Sequence, residues 1–277
     1  MTKHSALFLF LLFANSVCYS DTNHLEKETL YYKLSYRGIL TSMIWADLAD
    51  IKMTALRSDK EETNKNQLQF ELYLSTENYK KAELFHPVRY TYRSTIDAKL
   101  QRTLKVEEKD TGDNDSMDML WLDWNTHSTY IFERCEIKKQ CYLPSQFKHL
   151  SLFDDLSIKL AYKESGDNIE AEQILDPLSL IYALRNIDFM ASDTITKKIP
   201  IVVSDDIRLY FIEQQSVETF LLNGQSVSGI KFKLHSPEKS TQSYYIWLSQ
   251  NKDRIPLRIS IEAPLGQLDI NLVLSEK

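Results

Sequence analysis

The stretch LDPLSLIYALRNIDF, Leu175 to Phe189, decides the reading of this chain, because it is the one strong helical pattern in a sequence that otherwise reads as strands. Asp176 is a good N-cap, and Pro177 falls at the first helical position, where a missing N–H costs nothing. Leu178, Ile181, Leu184 and Ile187 then recur at three-residue spacing with Tyr182 and Arg185 at one edge, which gives a broad apolar face. Such a face needs a sheet to cover it, and the strands on either side supply one. The expected architecture is mainly β: an antiparallel, curved, half-open or closed β-barrel-like sheet with one principal packed α-helix.

Downstream, IPIVVSDDIRLYFIEQQ and VETFLLNGQSVSGIKFKL are apolar runs, and Asn223-Gly224 inside the second is a two-residue hairpin signal, since both central positions need positive φ. YYIWLSQNKDRIPLRISIEA turns at Gln250 to Asp253, and Pro264 to Gly266 lead into a last strand, QLDINLVL. Four or five antiparallel strands are therefore predicted after the helix. Upstream, LYYKLSYRGIL and SMIWADLADIKMTAL read as long strands. LQFELYLS alternates Leu68, Phe70, Leu72 and Leu74 with polar partners, the pattern of a half-buried strand. Tyr79 to Phe85 fits one helical turn, and Ala98 to Glu108 is readable as strand or helix.

The N-terminus reads as an export signal. Lys3 and His4 form a polar start, Ala6 to Ala14 an apolar core, and Cys18-Tyr19-Ser20 offers a cleavage site, so residues 1–20 are expected to be removed and 21–277 to form a single β-barrel-like domain. Acylation at Cys18 is the alternative, disfavoured because Val17 stands where such signals prefer Gly, Ala or Ser. The apolar run is shorter than the roughly 20 residues a spanning helix needs, and no other stretch reaches that length. The expected location is the periplasm.

Of the three cysteines, Cys135 and Cys141 would survive cleavage, in RCEIKKQCY between two strand-like flanks. An oxidising compartment would close them into a hairpin-stapling disulfide, whereas a zinc site would need further ligands, with His127 and His149 the nearest. Net charge is −6, and cleavage of the leader would remove one more positive charge, Lys3. With basic residues dispersed, nucleic acid is not an expected partner.

No motif assigns chemistry. Nucleophile-elbow, HExxH, P-loop and GxGxxG patterns are absent from the sequence, so no catalytic residues, metal or cofactor are assigned. Asp113, Asp115 and Asp118 miss the calcium-loop pattern at three positions. Asp154-Asp155 and Asp205-Asp206 are adjacent pairs, which point to opposite faces of a strand and cannot act jointly. The remaining candidates are ligand-binding ones. Arg185, with Tyr182 one turn earlier, suits a carboxylate or phosphate at a cavity mouth, or else a salt bridge to a strand acid that fixes the helix. Trp121 and Trp124, three apart, would face opposite sides of a strand, so that one packs in the core and the other caps a sheet edge, or else lines a cavity or groove; Trp247 is the third aromatic candidate.

ETLYYKLSYRGI, the HPVRY segment, the helix DPLSLIYALRN and the closing IWLSQNKDRIPLRISIEAPLG and LDINLVL together resemble the exported bacterial proteins grouped as domain-of-unknown-function 3108, with Leu100 to Leu150 departing most. A looser similarity, to LolA/LolB-like lipoprotein carriers, implies a curved sheet wrapping a helical lid over an apolar cavity. These resemblances imply a non-catalytic periplasmic protein holding a lipid or acyl chain, a task that asks for a hollow of roughly 300–1,000 Å3. The alternative is a scaffold or assembly partner of envelope machinery, with a filled barrel and an exposed apolar patch.

Overall fold

Period-two alternation is realised across most of the described residues. The computed structural model describes residues 27–38, 46–57, 67–112, 116–134, 160–168, 171–186, 196–203, 206–236, 243–263 and 266–274. Before the central helix run β1 (Lys27–Gly38), β2 (Ala46–Arg57), β3 (Gln67–Ser75), the short helix α1 (Lys80–Phe85), β4 (Arg89–Asp97), β5 (Thr103–Asp110), β6 (Ser116–Asp123), β7 (Ser128–Arg134) and β8 (Leu160–Asn168). Helix α2 spans Pro177–Asn186. After it come β9 (Thr196–Val203), β10 (Asp206–Leu222), β11 (Gln225–His235), β12 (Ser243–Ser249), β13 (Pro256–Ala263) and β14 (Gly266–Leu272). Among the described residues six strands follow the helix, where the sequence suggested four or five. The run IPIVVSDDIRLYFIEQQ holds two strands, β9 and β10, which fold back to pair Val203 with Asp206.

All fourteen strands among the described residues join one sheet in the order β8-β7-β6-β5-β4-β3-β2-β1-β14-β13-β12-β11-β10-β9. Every neighbour pair is antiparallel, from β7–β8 at one end to β9–β10 at the other. Strand follows strand except where β1 pairs with β14, Tyr32 opposite Leu272. The two edge strands, β8 and β9, are consecutive in sequence, and α2 lies in the connection between them. A long twisted sheet must curl or split, and here it curls.

The residues just before α2 stitch the curl together. Ile174 bridges Arg102, and Leu175 bridges Ile201. Thr103 N–H donates to Ile174 O at 2.9 Å, and Val202 N–H donates to Leu175 O at 2.8 Å, so one short extended segment ties the start of β5 to β9. Backbone groups that the edge of β9 would leave open are thereby satisfied.

Helix α2 is enclosed on more than one face. Leu178, Leu180, Tyr182, Ala183 and Leu184 are all buried, and so are Ser179 and Arg185. The Tyr182 ring lies flat on Phe70 of β3, centroids 3.9 Å apart and planes within 4°. Residues 187–189, which the sequence reading included in the helix, lie outside the described residues. Ala98 to Glu108 is not helical: a turn with Leu100 at φ 56° leads into β5. The Asn223-Gly224 hairpin forms as expected, with φ 50° and 78°.

Candidate functional site

One end of the curled sheet is filled by α2, which Asp176 anchors. Its carboxylate is fully buried and accepts N–H groups from Leu178 and Ser179, at 3.0 and 3.1 Å, as an N-cap does. It also accepts the hydroxyls of Ser94 at 2.5 Å, Thr103 at 2.9 Å and Tyr92 at 3.2 Å, from β4 and β5. Thr103 Oγ1 in turn accepts the Asp176 N–H at 3.0 Å. Five donors satisfy the buried charge in place of a cation. Burial first, and then Asp176, push the Tyr92 phenol well above its ordinary range, so it stays a donor.

The far end of α2 is held by Arg185. Its guanidinium grips Glu28 of β1 through Nη1 at 2.5 Å and Nη2 at 3.0 Å, while Nε donates to the Asp253 carbonyl at 3.0 Å. The geometry therefore matches the salt-bridge alternative: the fork that a ligand carboxylate would occupy is filled by Glu28. Tyr182 is fully buried, and its hydroxyl has no hydrogen-bond partner among the described residues.

The three tryptophans do not converge on this interior. Trp121, on β6, stacks on Tyr130 of β7 at 5.3 Å, and both project from the face opposite Leu120 and Ile131. Trp124 is not on a strand at all. It lies in the turn after β6, where its Nε1 donates to Thr103 O at 2.8 Å and Arg102 covers the ring at 4.9 Å, close to the stitch before α2. The opposite-faces argument therefore does not apply to this pair. Trp247 is nearly buried on the face turned away from Ile246 and Leu248, between the cations of Lys231 and Arg258, each 5.1 Å from its ring. Its Nε1 donates to Glu218 at 3.0 Å.

The interior beyond α2 is where the sheet leaves apolar surface open. Cross-strand partners share a face, so the register defines two adjacent rows. Tyr244, Ile261, Leu268 and Tyr36 stand opposite one another across β12, β13, β14 and β1, and Ile259, Ile270, Leu34 and Ala49 form the row beside them. Leu74 of β3 stands opposite Ile51, in the next row along, which Tyr32 shares. All lie on the face that also carries Tyr32, Ile51 and Phe70, yet Leu34, Leu74, Ile261, Leu268 and Ile270 are only partly buried. This partly exposed apolar stretch on the inner face of the curled sheet is called the trough. Farther round, the same face turns polar at Glu108, Asp110 and Asp118.

Sequence reasoning missed this trough. Alternation in LYYKLSY and QLDINL assigns its side chains to one face, but does not say how far along that face the helix reaches. The strand partners of Asp176 carry no sequence signal either, being 73 to 84 residues away. Among the described residues, no group of three or more His, Cys, Asp or Glu is placed to hold a metal ion. Nor is any helix among them long and apolar enough to cross a membrane. Residues 1–20, the Cys135–Cys141 pair, and Asp113, Asp115, His149, Asp154, Asp155 and Asp205 lie outside the described residues.

The fold defines a β-barrel-like protein: a single curled antiparallel sheet around an internal helix. The chain is similar over residues 154–273 to a family described as "Protein of unknown function (DUF3108)", which bears out the resemblance for the stretch containing β8, α2 and β9 to β14. No curated protein matches. Among solved structures, the chain is similar to the crystal structure of a beta-barrel-like protein of domain of unknown function DUF1849 from Brucella abortus, at 9% identity and a TM-score of 0.50. That likeness covers 90% of this chain and 96% of the other, and it is a likeness of fold.

Proposed function

We propose that this chain is a non-catalytic binding protein of the periplasm that holds an apolar ligand, a lipid or acyl chain, in the trough beyond α2. One observation carries the reading: partly exposed aliphatic side chains aligned in register on the inside of a curled sheet. Water-exposed apolar surface costs about 25 cal/mol per Å2, and an alkyl chain lying along the rows would remove that cost. Arg185 is engaged by Glu28, so the trough, rather than a cationic cavity mouth, is the seat of the ligand. The exported location rests on the leader-like residues 1–20.

Native mass spectrometry of protein purified from its own host, followed by organic extraction, tests this. Near-stoichiometric lipid that disappears in a Leu268→Asp variant supports the trough as its seat; a clean apo mass in both counts against it.

The scaffold reading has its own observation. Val217 and Leu221, on the β10–β11 hairpin, are 49% and 75% exposed. Crosslinking from these positions in the envelope, with a Leu221→Ser control, would support a protein partner there.

A further inference from the structure

The two most exposed large apolar side chains among the described residues are neighbours. Leu84 and Phe85, at the end of α1, are 84% and 87% exposed. A loose loop would let them fold back, but this connection is firmly held. Glu83 takes a two-pronged grip from Arg89, at 2.8 and 3.1 Å, and the Thr76 hydroxyl at 2.5 Å. Those bonds hold its carboxyl below the ordinary range, Arg89 contributing most. Asp50 of β2 accepts from Asn78 at 2.7 Å and from the Tyr79 hydroxyl at 2.6 Å. The α1 backbone closes with Glu83 N–H to Tyr79 O and His86 N–H to Ala82 O. Leu84 and Phe85 are thus held out in water by a braced support.

The charges beside them fit one kind of surface. Lys80 and Lys81 are exposed, have no acidic partner among the described residues, and stand one helical turn from Leu84 and Phe85. The nearby acids are already engaged, Glu83 with Arg89 and Glu77 with Arg89 at 3.9 Å. On the adjoining outer face, exposed Tyr31, Lys52 and Tyr73 line up in register across β1, β2 and β3. Apolar tips flanked by free lysines and tyrosines are the composition of a membrane-interface contact. A protein partner is less well served, because a stable interface buries about 800 Å2 on each side and two side chains offer far less.

We infer that α1 is a lipid-surface anchor, in which Leu84 and Phe85 insert into the headgroup region of an anionic bilayer and Lys80 and Lys81 meet its charge. The contact is weak and reversible, as suits so small an apolar area.

The test is cosedimentation of the full chain with phosphatidylcholine vesicles containing phosphatidylglycerol, and with phosphatidylcholine alone. Wild type should bind the anionic vesicles, and a Leu84→Ser/Phe85→Ser variant should lose roughly tenfold or more of that affinity. The substituted residues are exposed, so an unchanged melting temperature separates lost binding from lost folding. Lys80→Glu/Lys81→Glu should abolish the preference for anionic lipid, and Phe85→Trp should give a blue-shifted emission on binding. Equal vesicle binding by wild type and the double serine variant would overturn the inference. So would absence of vesicle binding, or self-association that depends on Leu84 and Phe85 in its place.

Discussion

Thr103 and Asp176 hold each other through two hydrogen bonds: the Thr103 hydroxyl donates to the Asp176 carboxylate at 2.9 Å and accepts the Asp176 backbone N–H at 3.0 Å. Residues 73 apart in the chain thereby fix the start of α2 to β5, at the point where the sheet closes on itself. The N-cap of this helix is also the rivet of the curl.

Replacing Asp176 should therefore cost more than a surface cap does. An ordinary cap loss is about 1–2 kcal/mol, and taking the carboxylate acceptor away from the buried hydroxyls of Ser94 and Thr103 adds about 1–3 kcal/mol. Asp176→Ala should lower stability by about 3 kcal/mol in urea unfolding, with Asp176→Asn in between. A loss no larger than that of an exposed cap would show that the network is not rigid.

Arg185→Ala should be severe as well, because it strands Glu28 in a largely buried position. Breaking such a pair costs about 3–5 kcal/mol, while removing both charges costs less than the sum. A double-mutant cycle with Glu28→Ala measures the coupling. Leu184→Asp, which puts a charge into the fully buried contact, should prevent folding altogether.

The trough makes a prediction of the opposite kind. Leu268 and Ile261 are only partly buried, so Leu268→Asp should change stability by less than about 1 kcal/mol while abolishing fluorescence enhancement of an added alkyl probe. Probe binding that survives this substitution would move the ligand elsewhere.

Acid should loosen the face that carries Trp247. Burial raises the Glu218 carboxyl, but the hydrogen bonds from Lys231 and Trp247 outweigh it and leave it below its unfolded value of 4.5. A depressed carboxyl contributes stability that is present above the unfolded value and lost as pH falls through the folded one. The loss should therefore begin below about pH 4.5 and be reported by Trp247 fluorescence. In Glu218→Gln this acid limb should flatten.

Local pattern carried much of this architecture. Asp176-Pro177 marks the helix start, Asn223-Gly224 marks a hairpin, and alternation from Leu68 to Leu74 marks β3, because capping, positive φ and the two-residue period are properties of neighbouring residues. Where local signals were balanced the reading was open, as between Ala98 and Glu108, or undercounted, as at β9 and β10. Trp124 was misplaced by a strand end that alternation does not mark.

The sequence by itself thus determined most of the strands, the central helix and its cap, since each depends on bonds within a few residues. Only the tertiary structure decided that β1 pairs with β14, that Arg185 meets Glu28 across 157 positions, and that Leu34 and Leu268 share the inner face of the curled sheet. Those relationships come from the closing of the sheet, and no local spacing encodes which distant strand a side chain will meet.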